Sequence, residues 1–330
     1  MNFICPSCSS TIGKHIFSSA ERLHGREKNT HNIVRCSSCE LVSLSPLSKK
    51  EDYKIHYPAN YISHRPALNV ATPLSLRKET CVHRVRSFVW SSWVMEQWGW
   101  PSRVLGHSLS VFRWFRARPI GFFGKERTLL DIGCGAGVFL RQQAQLGWSV
   151  FGLEPSYDMV ESCRKKGLDV RQGFSISQGW TEKKFDVISL NQVFEHVDNP
   201  REVLMDVYES LQLGGVLVMN LPNWRSGAAQ IFRSYWYNLD TPRHNLLVTP
   251  GTLRAMVVES GFQIKGMYTL SSMKGWTGSI EYWLRDFLGI HVSEGAISGS
   301  KFLNLLLKPM VKVLDLLYLG DNLHVIAKKK

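Results

Sequence analysis

The 330-residue sequence predicts an α/β protein built around a mostly parallel sheet, and three observations point there. From Thr128 onward, short runs of β-forming residues alternate with helical patterns. One of those runs, Leu129–Ile132, opens directly into a glycine-rich turn followed by a helix. At 44% hydrophobic and 20% charged, the chain can bury a sizeable core and is too apolar to be disordered. At about 150 residues per domain, its length suits two domains, or one large domain with an appendage.

The elements follow in order. Residues 1–46 are polar and carry paired cysteines, and residues 47–124 form a linker and a helical region rich in Tyr, Pro, Arg and Trp. Within the 125–330 domain, strands are predicted at 128–132, 149–154, 168–172, 185–190, 216–221, 262–270 and 323–328. The intervening helices have recognisable ends: Pro200 follows Asn199 at one start, Thr249-Pro250 marks another, and Gly261 provides a stop. A helical extension is expected over 271–320, before the final strand.

Charge is uneven. Lys+Arg total 40 against 27 Asp+Glu, and residues 1–125 hold 18 basic and seven acidic side chains, so most of the surplus lies in the first third. Seven cysteines do not make a disulfide scaffold. The N-terminus lacks the basic and apolar regions of a secretory signal, and the most apolar late segment, 302–319, is interrupted by Lys308, Pro309, Lys312 and Asp315. A cytoplasmic chain is expected.

In the turn, Asp131-x-Gly133-x-Gly135-x-Gly137 allows close backbone approach to a ligand. A dinucleotide fingerprint would need its third glycine at 138, where Val138 stands, and the Gly-Lys-Ser/Thr of a phosphate loop is absent. The turn is therefore poor for pyrophosphate. It resembles motif I of the class I S-adenosylmethionine-dependent methyltransferases. Glu154, the segment Asn191-Gln192-Val193-Phe194-Glu195-His196 and the Gly214-Gly215 turn stand where that resemblance expects them.

The resemblance implies a Rossmann-like, seven-stranded doubly wound sheet with its last strand antiparallel. It implies S-adenosylmethionine as cofactor, held by Asp131, Gly133, Cys134, Gly135, Gly137, Glu154, Pro155, Phe174, Asn191 and Gln192. Glu154 would accept hydrogen bonds from both ribose hydroxyls. Many relatives carry an Asp after the third strand, whereas this chain has Gln172-Gly173-Phe174, which leaves an aromatic wall for adenine.

Methyl transfer to a hydroxyl or acidic carbon gains from a general base. His196, with Glu195 beside it, lies at the carboxyl edge of the sheet, and His244 lies in a Pro242-Arg243-His244 segment. Against these roles stand scaffold readings, in which both segments only pin loops. Arg243 is a candidate for binding an acceptor phosphate or carboxylate, with Tyr235, Trp236 and Tyr237 as walls.

Cys5, Cys8, Cys36 and Cys39 form two CxxC knuckles separated by 27 residues, a set that suits a closed, structural zinc site. A zinc ribbon ahead of a methyltransferase resembles two groups: enzymes acting on ribosomal RNA, and enzymes acting on sugars and other small metabolites. The basic first third favours RNA. The missing Asn/Asp-Pro-Pro-Tyr motif, with Asn191-Gln192-Val193-Phe194 in its place, favours a small-molecule, sugar or glycan acceptor, possibly lipid-linked. A non-catalytic cofactor-binding scaffold is the third alternative. Residues 81–120 hold five tryptophans, six arginines and one acid, which suits peripheral membrane contact better than nucleic acid.

Overall fold

The computed structural model describes residues 3–22, 30–49, 51, 56–57, 127–290 and 295–330. The Trp/Arg stretch at 81–120, and with it the expected membrane or RNA contact there, lies outside the described residues.

The larger sheet has seven strands: β4 (Thr128–Ile132), β5 (Ser149–Glu154), β6 (Asp169–Gln172), β7 (Phe185–Asn191), β8 (Leu211–Pro222), β10 (Phe262–Leu270) and β11 (Asn322–Lys329). Their order across the sheet is β10-β11-β8-β7-β4-β5-β6. The five strands β4 to β8 pair in parallel, while β11 inserts antiparallel between β8 and β10. This is the doubly wound sheet with an antiparallel last strand that the resemblance implied.

Every residue of β4 is buried, with Leu129 and Leu130 entering different apolar clusters. Burial on both faces explains why the strand reads as a continuous apolar run rather than an alternating one. The covering helices are α1 (Val138–Ala144), α2 (Tyr157–Arg164), α3 (Pro200–Ser210), α4 (Gly227–Phe232) and α5 (Pro250–Glu259). At the head of α3 the Asn199 side chain accepts from Glu202 N–H, and at α5 Thr249 and Thr252 form a reciprocal capping box, as the sequence signals indicated. Strand β8 starts five residues earlier than the apolar run suggested. Leu211 pairs with Phe185, and an irregularity in the ladder absorbs Gly214-Gly215 without ending the strand.

The extension before β11 forms α6 (Met273–Asp286) and α7 (Lys301–Leu316). Among the described residues no helix is long and apolar enough to cross a membrane.

The N-terminal residues form an antiparallel sheet of β1 (Gly13–Ala20), β2 (Thr30–Cys36) and β3 (Val42–Ser45), completed by β9 (Leu246–Leu247) from the larger domain. Ile33, Val42 and Leu44 share one core with Trp224, Trp236 and Trp276. The cysteine-bearing unit is thus stitched into the α/β domain by main-chain pairing and by apolar burial.

Candidate functional site

The β4 turn is shaped by backbone requirements. Gly133 and Gly137 have φ of +66° and +71°, and a Cβ at Gly137 would lie 2.6 Å from Leu168 Cδ1. Any side chain there would be strained twice over, by conformation and by space. Gly135 N–H donates to Glu154 Oε2 at 2.9 Å, and Ser156 N–H donates to Oε1 at 3.0 Å. The Glu154 carboxylate therefore clasps the glycine turn to the end of β5. A carboxylate oxygen can accept more than one hydrogen bond.

A cavity of about 470 Å³ opens over this edge of the sheet. Gly133, Gly135, Glu154, Pro155, Phe174, Asn191 and Gln192 line one part; His196, Asp240, Arg243, His244 and Tyr237 line another. Three of the expected cofactor residues do not line it, and the structure corrects those assignments. Asp131 lies beneath the turn, accepting from Ser189 Oγ at 2.6 Å and Asn191 Nδ2 at 3.1 Å. Burial pushes its carboxyl up to about 7, against the pull of those two bonds. Cys134 turns its thiol into the core toward Cys163 and Gly152, and Gly137 serves as the N-cap of α1.

The acceptor-side expectations divide in the same way. Tyr237 lines the cavity, as expected. Trp236 does not: it is 1% exposed and packs against Trp224 in the core shared with the N-terminal sheet. Tyr235 sits against Phe287 and under Arg22, also away from the cavity. Arg243 reaches the cavity edge, but its guanidinium is committed elsewhere. Nη1 donates to Glu21 at 2.6 Å, while Nε and Nη2 grip Asp240. With its side chain 1% exposed, this buried two-carboxylate clamp replaces the acceptor contact expected for Arg243.

That clamp sets the state of the neighbouring groups. Burial works against an ionised Asp240, but the adjacent Arg243 overcomes it and holds the carboxyl below its ordinary value. His244 Nε2 lies 3.8 Å from Asp240 Oδ2 and 4.0 Å from Glu195 Oε1, while its Nδ1 donates to the Asn238 carbonyl at 2.8 Å. His196 stands edge-on to His244 with ring centres 4.7 Å apart. Its Nδ1 donates to the Arg243 carbonyl at 2.9 Å, and Tyr57 Oη closes on the same nitrogen at 2.7 Å. Both rings thus spend Nδ1–H on a carbonyl, which leaves Nε2 as the acceptor nitrogen. Burial lowers both imidazoles, His196 to about 3, aided there by repulsion from His244.

Glu195 is buried, neither of its carboxylate oxygens has a hydrogen-bond partner among the described residues, and burial followed by repulsion from Asp240 pushes it up to about 8. A carboxyl neutral in the fold up to pH 8 but ionising near 4.5 when unfolded costs stability as pH rises between those values. Glu195→Gln should therefore gain on the wild type across that interval, by about 4 kcal/mol at its upper end. Chemical denaturation at pH 5 and pH 8 measures this, and parallel pH dependence of the two proteins would refute it. Glu195, His196 and His244 also bring three donor atoms within 4.8 Å of one another, a set that a divalent cation could share.

Several cavity residues were not among the sequence candidates: Ser48, Lys49, His56 and Tyr57 from the linker, and Tyr282 from α6. Tyr57 stood within the Tyr-rich run Tyr53, Tyr57, Tyr61, but nothing local tied it to a histidine 139 residues away.

Cys5 and Cys39 bring their sulfurs to 3.5 Å, as do Cys8 and Cys36. All four ligand atoms fall within 4.8 Å of one another. Four thiolates at about 2.3 Å from one ion would stand about 3.8 Å apart, so the set fits tetrahedral coordination. Burial pushes the Cys5 and Cys39 thiols up. Cys36 is held at about 6 despite its burial, because main-chain N–H groups of Cys39 and Ser38 point at its sulfur.

A protein-family model described as a methyltransferase domain matches residues 110–265, the segment that supplies the glycine turn, Glu154 and both histidines. Residues 110–265, 156 of the 330, are therefore similar to a methyltransferase domain. Similar curated proteins include a ubiquinone biosynthesis O-methyltransferase of Maricaulis maris, 27% identical over 150 residues, or 42% of this chain and 59% of the relative. Another is the mitochondrial ubiquinone biosynthesis O-methyltransferase of Schizosaccharomyces pombe, 32% identical over 108 residues, or 30% of this chain and 38% of the relative. The chain thus covers between 38% and 59% of these two relatives. A crystal structure described as a SAM-dependent methyltransferase from Archaeoglobus fulgidus is 23% identical and covers 63% of this chain and 88% of its own, with a TM-score of 0.44.

Proposed function

We propose that this protein transfers a methyl group from S-adenosylmethionine to a hydroxyl of a small-molecule, sugar or glycan acceptor. The observation that carries this reading is the sharing of one cavity by the Gly135–Glu154 clasp and the His196–His244 pair. A donor held at the glycine turn and an acceptor held at the histidines would meet inside it. The named relatives are O-methyltransferases, which supports oxygen as the methylated atom.

Bound S-adenosylmethionine supplies an electrophilic methyl group whose transfer leaves a neutral thioether. The chain's own part is alignment and proton removal. Gly133, Gly135 and Glu154 would hold the nucleoside end, with Phe174 as an aromatic wall. His244 Nε2 would take the proton of the acceptor hydroxyl. Asp240, kept ionised by Arg243, faces the imidazolium so formed. Tyr57, Tyr237 and Tyr282 offer rings and hydroxyls suited to a hydroxylated acceptor.

Incubating extract fractions with methyl-labelled donor tests the proposal. Label in glycan, lipid or small-metabolite material supports it, whereas label confined to RNA, or no transfer despite donor binding, refutes it.

The four cysteines are proposed to hold a structural zinc ion. The consequence reaches the active site, because Leu44 N–H of β3 donates to the Asn245 carbonyl beside His244, and Asn245 Nδ2 donates to the His196 carbonyl at 3.0 Å. Cys36→Ser is expected to remove about one equivalent of zinc by elemental analysis and to lower kcat more than donor affinity. Full zinc content in that variant would sink the assignment.

A further inference from the structure

We infer that α7 is a membrane-docking helix, seating its outer face in the interface of an anionic bilayer. At about 100° per residue the helix divides into three sectors. The inner sector presents Val311, Leu307 and Leu314 to the apolar core and buries Asp315, the helix's one acidic residue. The outer sector carries Phe302, Leu305, Leu306, Val313, Leu316 and Leu317, between 50% and 77% exposed. Between these sectors runs a single row of Lys301, Lys308 and Lys312, spaced by seven and four residues and so aligned to within about 40°, with Lys312 paired inward to Asp315 at 3.7 Å.

An outward apolar face is the reverse of what a surface helix in water presents. The charge pattern identifies its occupant. The row beside the face is wholly cationic and the helix shows no exposed acid, which matches phosphate head groups above a hydrocarbon layer. Lysines at that level can lay their stems along the apolar boundary with the ammonium in the head groups. The neighbouring C-terminal end of α6 also exposes Trp283, Phe287, Leu288 and Ile290, there beside the Arg285–Asp286 ion pair. Helix α6 also supplies Tyr282 to the cavity, so the docking elements adjoin the acceptor side. The inference does not depend on the methyl-transfer proposal.

Vesicle flotation of the full-length chain tests it, using phosphatidylcholine vesicles with and without roughly one-third phosphatidylglycerol. The wild type is expected to float with the anionic vesicles. Leu305→Glu/Leu306→Glu should lose at least about tenfold in binding with an unchanged thermal melt. Lys301→Gln and Lys308→Gln should each lose about fivefold on anionic vesicles only. Failure of the wild type to float overturns the inference, as does equal flotation of the leucine variant. Light scattering that shows a dimer dissociated by the leucine substitutions would assign the face to a second copy, which also overturns it.

Discussion

Glu154→Ala is expected to weaken S-adenosylhomocysteine binding by about two orders of magnitude. A carboxylate accepting from both hydroxyls of a ribose makes two charge-assisted hydrogen bonds, and losing two such bonds costs about 3 kcal/mol or more. The same carboxylate already accepts from Gly135 and Ser156, so its removal also frees the glycine turn from the end of β5. Glu154→Gln separates the two contributions: one amide oxygen can still accept from a main-chain N–H, but the charge toward the diol is gone. Isothermal titration with S-adenosylhomocysteine reads both variants. Affinity unchanged in Glu154→Ala would mean that the nucleoside is not held at this turn.

His244→Ala should lower kcat by about 10² to 10⁴ while leaving S-adenosylhomocysteine affinity nearly unchanged, the range typical of losing a general base. His244 is preferred over His196 on electrostatic grounds. Its Nε2 faces ionised Asp240 at 3.8 Å, which stabilises the imidazolium, whereas at His196 repulsion from His244 adds to burial in lowering the imidazole. The pH profile carries the sign. A base works when neutral, and burial lowers His244 below the ordinary histidine value, so activity should persist below pH 6.5 and fall only on further acidification. A variant that loses donor binding in parallel with turnover would return His244 to a scaffold role.

The parts of this protein legible from sequence are those whose cause is local. Gly133, Gly135 and Gly137 stand out because the turn they form excludes side chains, and that constraint shows in three residues. The caps at Asn199 and Thr249 are likewise set within one helical turn. The cysteine knuckles are legible because the chemistry of four thiols at short spacing admits few other readings.

Arg243, Trp236 and Tyr57 show where that legibility stops. A Pro-Arg-His segment beside an expected pocket suggests a cation waiting for an anion, but Glu21, 222 residues away in sequence, supplies that anion from the N-terminal unit. Trp236 looks like a cavity wall until β3 pairs with β9 and brings Ile33, Val42 and Leu44 against it. Tyr57 gains a role only when folding brings its hydroxyl to His196.

Read alone, the chain dictates a glycine turn after a buried strand, a carboxylate 17 residues on, four metal-type thiols and the alternation that builds the sheet. Folding alone decides which histidine has an ionised partner, which arginine is already neutralised, and which apolar face of α7 is left outward. The division has one physical origin. Backbone conformation and ligand spacing are set within a few residues, whereas burial and charge pairing depend on distant segments that meet only in the folded molecule.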